Sequence, residues 1–119
     1  MFSINKQKGD WGEEIAAKYL AKIGYKIIER NYRNRFGEID IVAREKEVIC
    51  FVEVKMRGSV NCGTSLEAVD NRKQEKIRLI AGEYLQKFAD KDFPVRFDVI
   101  AITEVNNSDY AIDFIKDAF

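Results

Sequence analysis

The chain has 119 residues, 46% of them apolar and 34% charged, with 20 basic and 20 acidic side chains that cancel to zero net charge. That length and balance fit one compact domain spanning 1–119; no single-sign charge announces a nucleic-acid or membrane surface, although a basic patch on one face is compatible with it. There is no histidine, which excludes His-based triads, His general bases and His-containing zinc sites, so any metal must be held by oxygen.

No apolar run approaches the length that spans a bilayer, and Met1 to Asp10 has no apolar signal core, so a cytoplasmic protein without membrane contact is expected. Trp11, Ile15, Tyr19 and Ile23 recur every four positions, with Ala16 and Leu20 beside them, which predicts an amphipathic helix over 10–23. Asp10 is placed to cap its start and Gly24 to stop it. Residues 25–33 read as a strand, Asn34-Arg35-Phe36-Gly37 as a hairpin loop and 38–44 as a second strand. A charged turn at Glu45-Lys46 leads to a third strand over 47–56, completing an antiparallel meander. Residues 57–65 are a Gly/Ser/Asn-rich loop. From about Leu66 to Phe88 the helical period returns, with Ile77, Ile80, Ala81, Tyr84, Leu85 and Phe88 on one face and Pro94 soon after its end. An apolar strand over 95–103, a turn at Asn106-Asn107-Ser108-Asp109 and a last strand over 110–115 follow. The order α-β-β-β-α-β-β predicts an α/β fold with a mixed central sheet flanked by helices. Cys50 reads as a small buried hydrophobe and Cys62 as a second free thiol in a reducing compartment.

Two strands break their own pattern. Glu53-Val54-Lys55 puts opposite charges into the apolar run Val48-Ile49-Cys50-Phe51-Val52, and residues 53 and 55 point the same way. Upstream, Glu38-Ile39-Asp40-Ile41-Val42 places two carboxylates at the same period. Neighbouring strands lie about 5 Å apart, so Asp40 and Glu53 can approach that closely. Two like charges there repel by about 3 kcal/mol at an effective dielectric near 20. A hard cation such as Mg²⁺ or Mn²⁺ reverses that balance, and Lys55 offsets part of the charge and can polarise a water. The plain alternative is a salt-bridged pair on a solvated sheet face, but Ile49 and Phe51 share the face of Glu53. Glu38 is either an accessory ligand or a hairpin residue following Gly37. On the first helix Glu14 precedes Lys18 by four, an ordinary surface pair. Glu13 stacks over Ala16, Ala17 and Leu20, where a carboxylate is costly to desolvate without a partner, and is the better candidate. Lys73 lies in line with the apolar stripe of the second helix, placed either to snorkel or to reach a phosphate. Arg33, Arg35 and Arg57 flank the carboxylates and can contact phosphates too. Asp98, inside an apolar strand, is expected to pair with Arg96 or a helix residue.

An acidic residue on a first helix, an Asp on one strand and Glu-x-Lys on the next resemble the PD-(D/E)xK, restriction-endonuclease-like nuclease superfamily. The closer resemblance is to the YraN-like family of small bacterial proteins, themselves similar to archaeal Holliday-junction resolvases. It rests on Gly9-Asp10-Trp11-Gly12-Glu13, Tyr19-Leu20, Gly24-Tyr25, Glu29-Arg30-Asn31-Tyr32-Arg33, Gly37-Glu38-Ile39-Asp40-Ile41-Val42-Ala43, Phe51-Val52-Glu53-Val54-Lys55-Met56-Arg57 and Arg96-Phe97-Asp98-Val99. The resemblance implies a restriction-endonuclease-like fold and Mg²⁺-dependent cleavage of nucleic acid. It implies that Asp40, Glu53 and the Val54 backbone carbonyl ligate the metal, that Lys55 orients water or stabilises the transition state, and that Glu13 is the helix-borne acid of the resolvase-like members. It also implies a homodimer. The expected function is therefore a metal-dependent endonuclease on DNA, acting on branched or single-stranded structures in recombination or repair. The alternative is a non-catalytic nucleic-acid-binding or protein-interaction module that keeps the fold.

Overall fold

The computed structural model describes residues 4–57, 70–88, 93–106 and 109–119, with the side chains of residues 4–10 and of Arg57 left outside the description. The elements are α1 (Ile4–Lys22), β1 (Lys26–Asn34), β2 (Gly37–Glu45), β3 (Val48–Arg57), α2 (Asn71–Phe88), β4 (Val95–Glu104) and β5 (Tyr110–Ile115). The predicted order α-β-β-β-α-β-β is the observed one. The strands form one five-stranded sheet in the order β1-β2-β3-β4-β5. β3 and β4 run parallel and the other neighbours antiparallel, so the sheet is mixed as expected. Among the described residues no helix is long and apolar enough to cross a membrane.

Helix α1 starts earlier than predicted, at Ile4, so Asp10 lies within the helix and does not cap it. One internal glycine such as Gly9 costs a helix only about 1 kcal/mol, which the continuing turns offset. The end is as read. The Tyr25 N–H donates to the Leu20 carbonyl at 2.9 Å and the Gly24 N–H to that of Ala21 at 3.1 Å. Gly24 supplies the positive φ, 99°, that this terminus requires. Helix α2 begins at Asn71, later than the predicted 66, because Asp70 is its cap: the carboxylate accepts the Lys73 N–H at 2.9 Å. Residues 58–69, with Cys62, lie outside the described residues, as do Asn107 and Ser108 of the last turn.

The helices cover opposite faces of the sheet. Ile15, Ala16, Ala17 and Leu20 of α1 pack on Ile41, Ala43, Cys50, Val52, Ile100 and Ile102. Ile77, Ile80, Ala81 and Tyr84 of α2 pack on Ile39, Val42, Phe51 and Val99. Strands β2, β3 and β4 are therefore buried on both sides. The predicted apolar row of α1 is corrected at its ends, where Trp11 is 44% and Ile23 42% exposed. A row of period four drifts about 40° per step around a helix of 3.6 residues per turn, so its ends leave the buried face.

At one end of the sheet a polar cluster is closed on itself. Asp98, fully buried, accepts from Arg96 Nε at 2.8 Å, from Arg96 Nη2 at 2.9 Å and from the Asp117 N–H at 2.9 Å. Arg96 also donates to Glu45 at 3.1 Å and to the Tyr25 hydroxyl at 2.7 Å. Asp98 thus pairs with Arg96, the first of its expected partners. Removing the acid in Asp98→Ala leaves a mostly buried guanidinium without its main partner. The expected cost is about 3 kcal/mol or more in a denaturant melt, and a change below 1 kcal/mol would deny the cluster a structural role.

Candidate metal centre

The site forms where β2 and β3 part. Their ladder runs from Glu45↔Val48 to Ile41↔Val52 and stops. Beyond it the Val54 N–H donates not to a backbone carbonyl of β2 but to Asp40 Oδ2, at 2.8 Å. On its other side β2 stays paired with β1 through Tyr32↔Ile39 and Arg33↔Glu38. The side chain of Asp40 therefore fills the cleft between the strands. Ile39 packs in the α2-side cluster and Ile41 in the α1-side cluster, although residues two apart on a regular strand share a face. The alternation is broken at Asp40, so the shared face expected for Glu38 and Asp40 on a regular strand does not apply. In a strand the N–H and C=O of one residue are directed to the same neighbour, so the Val54 carbonyl faces the same cleft.

Three further carboxylates reach this cleft. Glu13 comes from α1, which lies close to the sheet because Gly12 packs against the thioether of Met56 on β3. One carboxylate oxygen from each of Glu13, Glu38 and Asp40 falls within 4.8 Å of the others. Glu53 arrives from the α2 side of β3, at hydrogen-bonding range of Asp40. Its side chain is 5% exposed, and its Oε1 has no hydrogen-bond partner among the described residues. Lys55, half-buried, stands between this group and Lys73.

The electrostatics are those of acids crowded in low dielectric. Burial first, and Asp40 second, push the Glu53 carboxyl up to about 9. The same two causes raise Glu13 to about 7, against a lowering hydrogen bond from Asn31. Burial and the neighbouring Lys73 lower the pKa of Lys55. The described residues alone do not supply enough positive charge to keep both Glu13 and Glu53 ionised at neutral pH.

Of the basic residues singled out, Lys73 and Arg33 lie beside the acids. Lys73 lines a cavity of about 380 Å³ with Glu38, Glu53 and Lys76. Arg33 donates to Glu38 at 3.2 Å. Arg35 is drawn instead to Glu83 of α2, at 3.4 Å, with its guanidinium over the Phe36 ring. Arg57 ends β3 and its side chain lies outside the described residues. Glu14 pairs with Arg30 at 2.8 Å and with Lys18 at 3.9 Å, on the surface as expected. Asn31 was not singled out by the sequence reading. It adopts φ 55° within β1 and hydrogen-bonds Glu13. The available signal was an Asn inside a strand, a residue depleted there and tolerant of positive φ.

The sequence matches the pattern described as "Uncharacterised protein family UPF0102" over residues 12–102. The chain belongs to the UPF0102 family. A UPF0102 protein from Rhodococcus opacus is 44% identical over 115 residues, covering 97% of this chain and 98% of that one. One from Clostridium botulinum Loch Maree is 46% identical over 121 residues, covering 100% and 98%. Another, from Caldanaerobacter subterraneus subsp. tengcongensis, is 50% identical over 103 residues, covering 86% and 84%. The UPF0102 match spans α1 through most of β4, and so includes Glu13, Glu38, Asp40, Glu53 and Lys55.

Raised carboxyl pKa values fix the sign of a pH effect. Between the unfolded value of 4.5 and the folded value of about 9, native Glu53 holds a proton that the unfolded chain has lost. Metal-free stability must then fall as pH rises through that window, with Glu13 adding to the slope up to about 7. Glu53→Gln removes most of this slope. In calorimetry with EDTA the variant is expected to melt above wild type at about pH 8.5 and to converge with it near pH 4. Parallel curves across that range would deny Glu53 its raised pKa.

Proposed function

We propose that the chain is a divalent-cation-dependent nuclease that hydrolyses DNA phosphodiesters. The observation that carries this reading is the nearly buried Glu53, with a carboxylate oxygen that has no partner among the described residues, beside Asp40 and a second group of acids converging from α1 and β2. A structural ion pair would end in its own partners, as Asp98 does. This group ends in excess negative charge, and its donors are all oxygen, the set preferred by Mg²⁺ and Mn²⁺.

Asp40, Glu53 and the Val54 carbonyl would hold the cation, with Glu13 and Glu38 completing the acidic wall. When bound, the cation supplies Lewis acidity that lowers the pKa of water and stabilises charge on a phosphate. The chain's own residues do the rest. Asp40 is locked by the Val54 N–H, so its carboxylate keeps a fixed direction. Lys55 is desolvated and close to Lys73, which suits it to donate a hydrogen bond to the attacking water or to a phosphate oxygen. Lys73 and Arg33 would hold the backbone beside the cleft, a non-specific mode that reads shape rather than sequence. A substrate in recombination or repair, a cytoplasmic site of action, one domain over 1–119 and a homodimer making paired cuts belong to the same proposal.

The test is cleavage of labelled duplex, single strand, flap and four-way junction with Mg²⁺, Mn²⁺ or EDTA. Wild type is expected to cut only with metal. Asp40→Asn and Glu53→Gln should each lose about 100-fold or more, and Lys55→Ala about 100- to 1,000-fold. Cuts that persist in EDTA, or survive these substitutions, exclude the assignment. No cuts with any metal on any substrate would favour the non-catalytic nucleic-acid-binding or protein-interaction module.

A further inference from the structure

A second feature lies on the other flank of α1. Between α1 and the edge strand β5 runs a groove of about 460 Å³, whose lining includes Trp11, Glu14, Lys18, Lys22, Tyr110 and Ile112. That volume falls within the usual range for ligand sites. At its mouth the Trp11 and Tyr110 rings meet edge-to-face with centroids 5.6 Å apart. Both remain exposed, at 44% and 43%, where an aromatic pair serving only the core would be covered. The lysines stand along the same wall. The Lys18 side chain is 77% exposed and only 3.9 Å from Glu14, whose closer partner is Arg30 at 2.8 Å. Lys22 makes no ion pair with any described residue. From Trp11 to Lys22 the helix advances about 16 Å.

Helix α1 ties this groove to the acidic cleft, since it carries both Trp11 and Glu13, and the register sets the distance between groove and cleft. Arg57 at the end of β3 is level with Thr103 on β4, and Thr103 with Ala111 on β5. Tyr110 pairs with Glu104, one step beyond that row, whereas Lys55 is level with Ala101 and Asp113 and Glu53 with Val99 and Ile115, so across and along the strands Tyr110 lies about 14 Å from Lys55 and about 19 Å from Glu53. Exposed rings interleaved with lysines call for a flexible anionic chain that carries its own flat faces. Duplex DNA hides those faces in its stack; a single strand offers them. A second copy of this chain is disfavoured as occupant, since a self-complementary contact would bring the lysine walls together.

We propose that the α1–β5 groove binds single-stranded nucleic acid, with bases stacked on Trp11 and Tyr110 and phosphates beside Lys18 and Lys22. The groove would hold the unpaired arm of a substrate whose phosphodiester lies at the carboxylate cleft, and that link, though not the binding itself, rests on the nuclease reading.

Trp11 is the chain's single tryptophan and therefore its own reporter. Full-length protein, wild type and Asp40→Asn, is titrated in EDTA with oligo-dT and with a blunt duplex of equal length. The expected result is saturable quenching of tryptophan emission by the single strand alone, equal in both proteins. Tyr110→Ala should weaken binding at least about fivefold. Lys22→Glu, a change at an exposed position, should weaken it and flatten its dependence on salt. Absence of quenching overturns the proposal. So does equal quenching by duplex, or unchanged affinity in both variants with melting temperatures intact. An emission change that follows protein concentration alone would assign the groove to a second copy instead. Because no metal is present, loss of cleavage leaves this result untouched, and loss of quenching leaves the cleavage assay untouched.

Discussion

The hydrogen bond from the Val54 N–H to Asp40 Oδ2 organises the functional end of this molecule. It replaces a rung of the β2–β3 ladder with a side chain, and a carboxylate is a stronger acceptor than the carbonyl it displaces. The two strands can then part without orphaning a buried donor. Parting them opens the cleft, turns the Val54 carbonyl into it, and breaks the alternation between Ile39 and Ile41. The outer partners hold the opened strands in place: β1 stays on β2, and β4 stays on β3 through Arg57↔Thr103.

The two ends of the sheet treat buried charge in opposite ways. Asp98 is fully buried and every contact it makes is with protein: a guanidinium fork and a backbone N–H. Glu53 is nearly as buried, yet it faces another carboxylate and leaves one oxygen without a partner among the described residues. The first arrangement is complete by itself and reads as structure. The second is stable at neutral pH only with a proton or an added cation, and that incompleteness is the physical basis for reading it as a site. Helix α1 serves both of its flanks, bringing Glu13 to the cleft and Trp11 to the groove beside β5.

Much of the fold was legible in residue patterns. Gly24 marked the end of α1, and Tyr110–Ile115 was read with its observed bounds. Glu13 was separated from Glu14 by helical phase alone, and the two do go to different surroundings, the cleft and a surface ion pair. The starts of both helices were misplaced. A cap-like Asp10 lies inside α1, while the cap of α2 is Asp70, and the residues before it lie outside the described ones. The burial of β2 and β4 on both faces erased the alternation from which a facing could have been read.

By itself the sequence determined which residues are out of place: carboxylates and a lysine inside apolar strands, in an α-β-β-β-α-β-β order, with oxygen as the only ligand type available to a hard metal. These are properties of local pattern and composition, and they need no knowledge of what lies opposite. Only the tertiary structure decided which of them meet. It joined Glu38 to Glu13 and Asp40, brought Lys73 to Lys55, drew Arg35 away to Glu83, and recruited Asn31. Those outcomes depend on a broken ladder rung and on the close approach of Gly12 to β3. Both are long-range contacts, settled by the packing of whole elements and not by the preferences of any single stretch of chain.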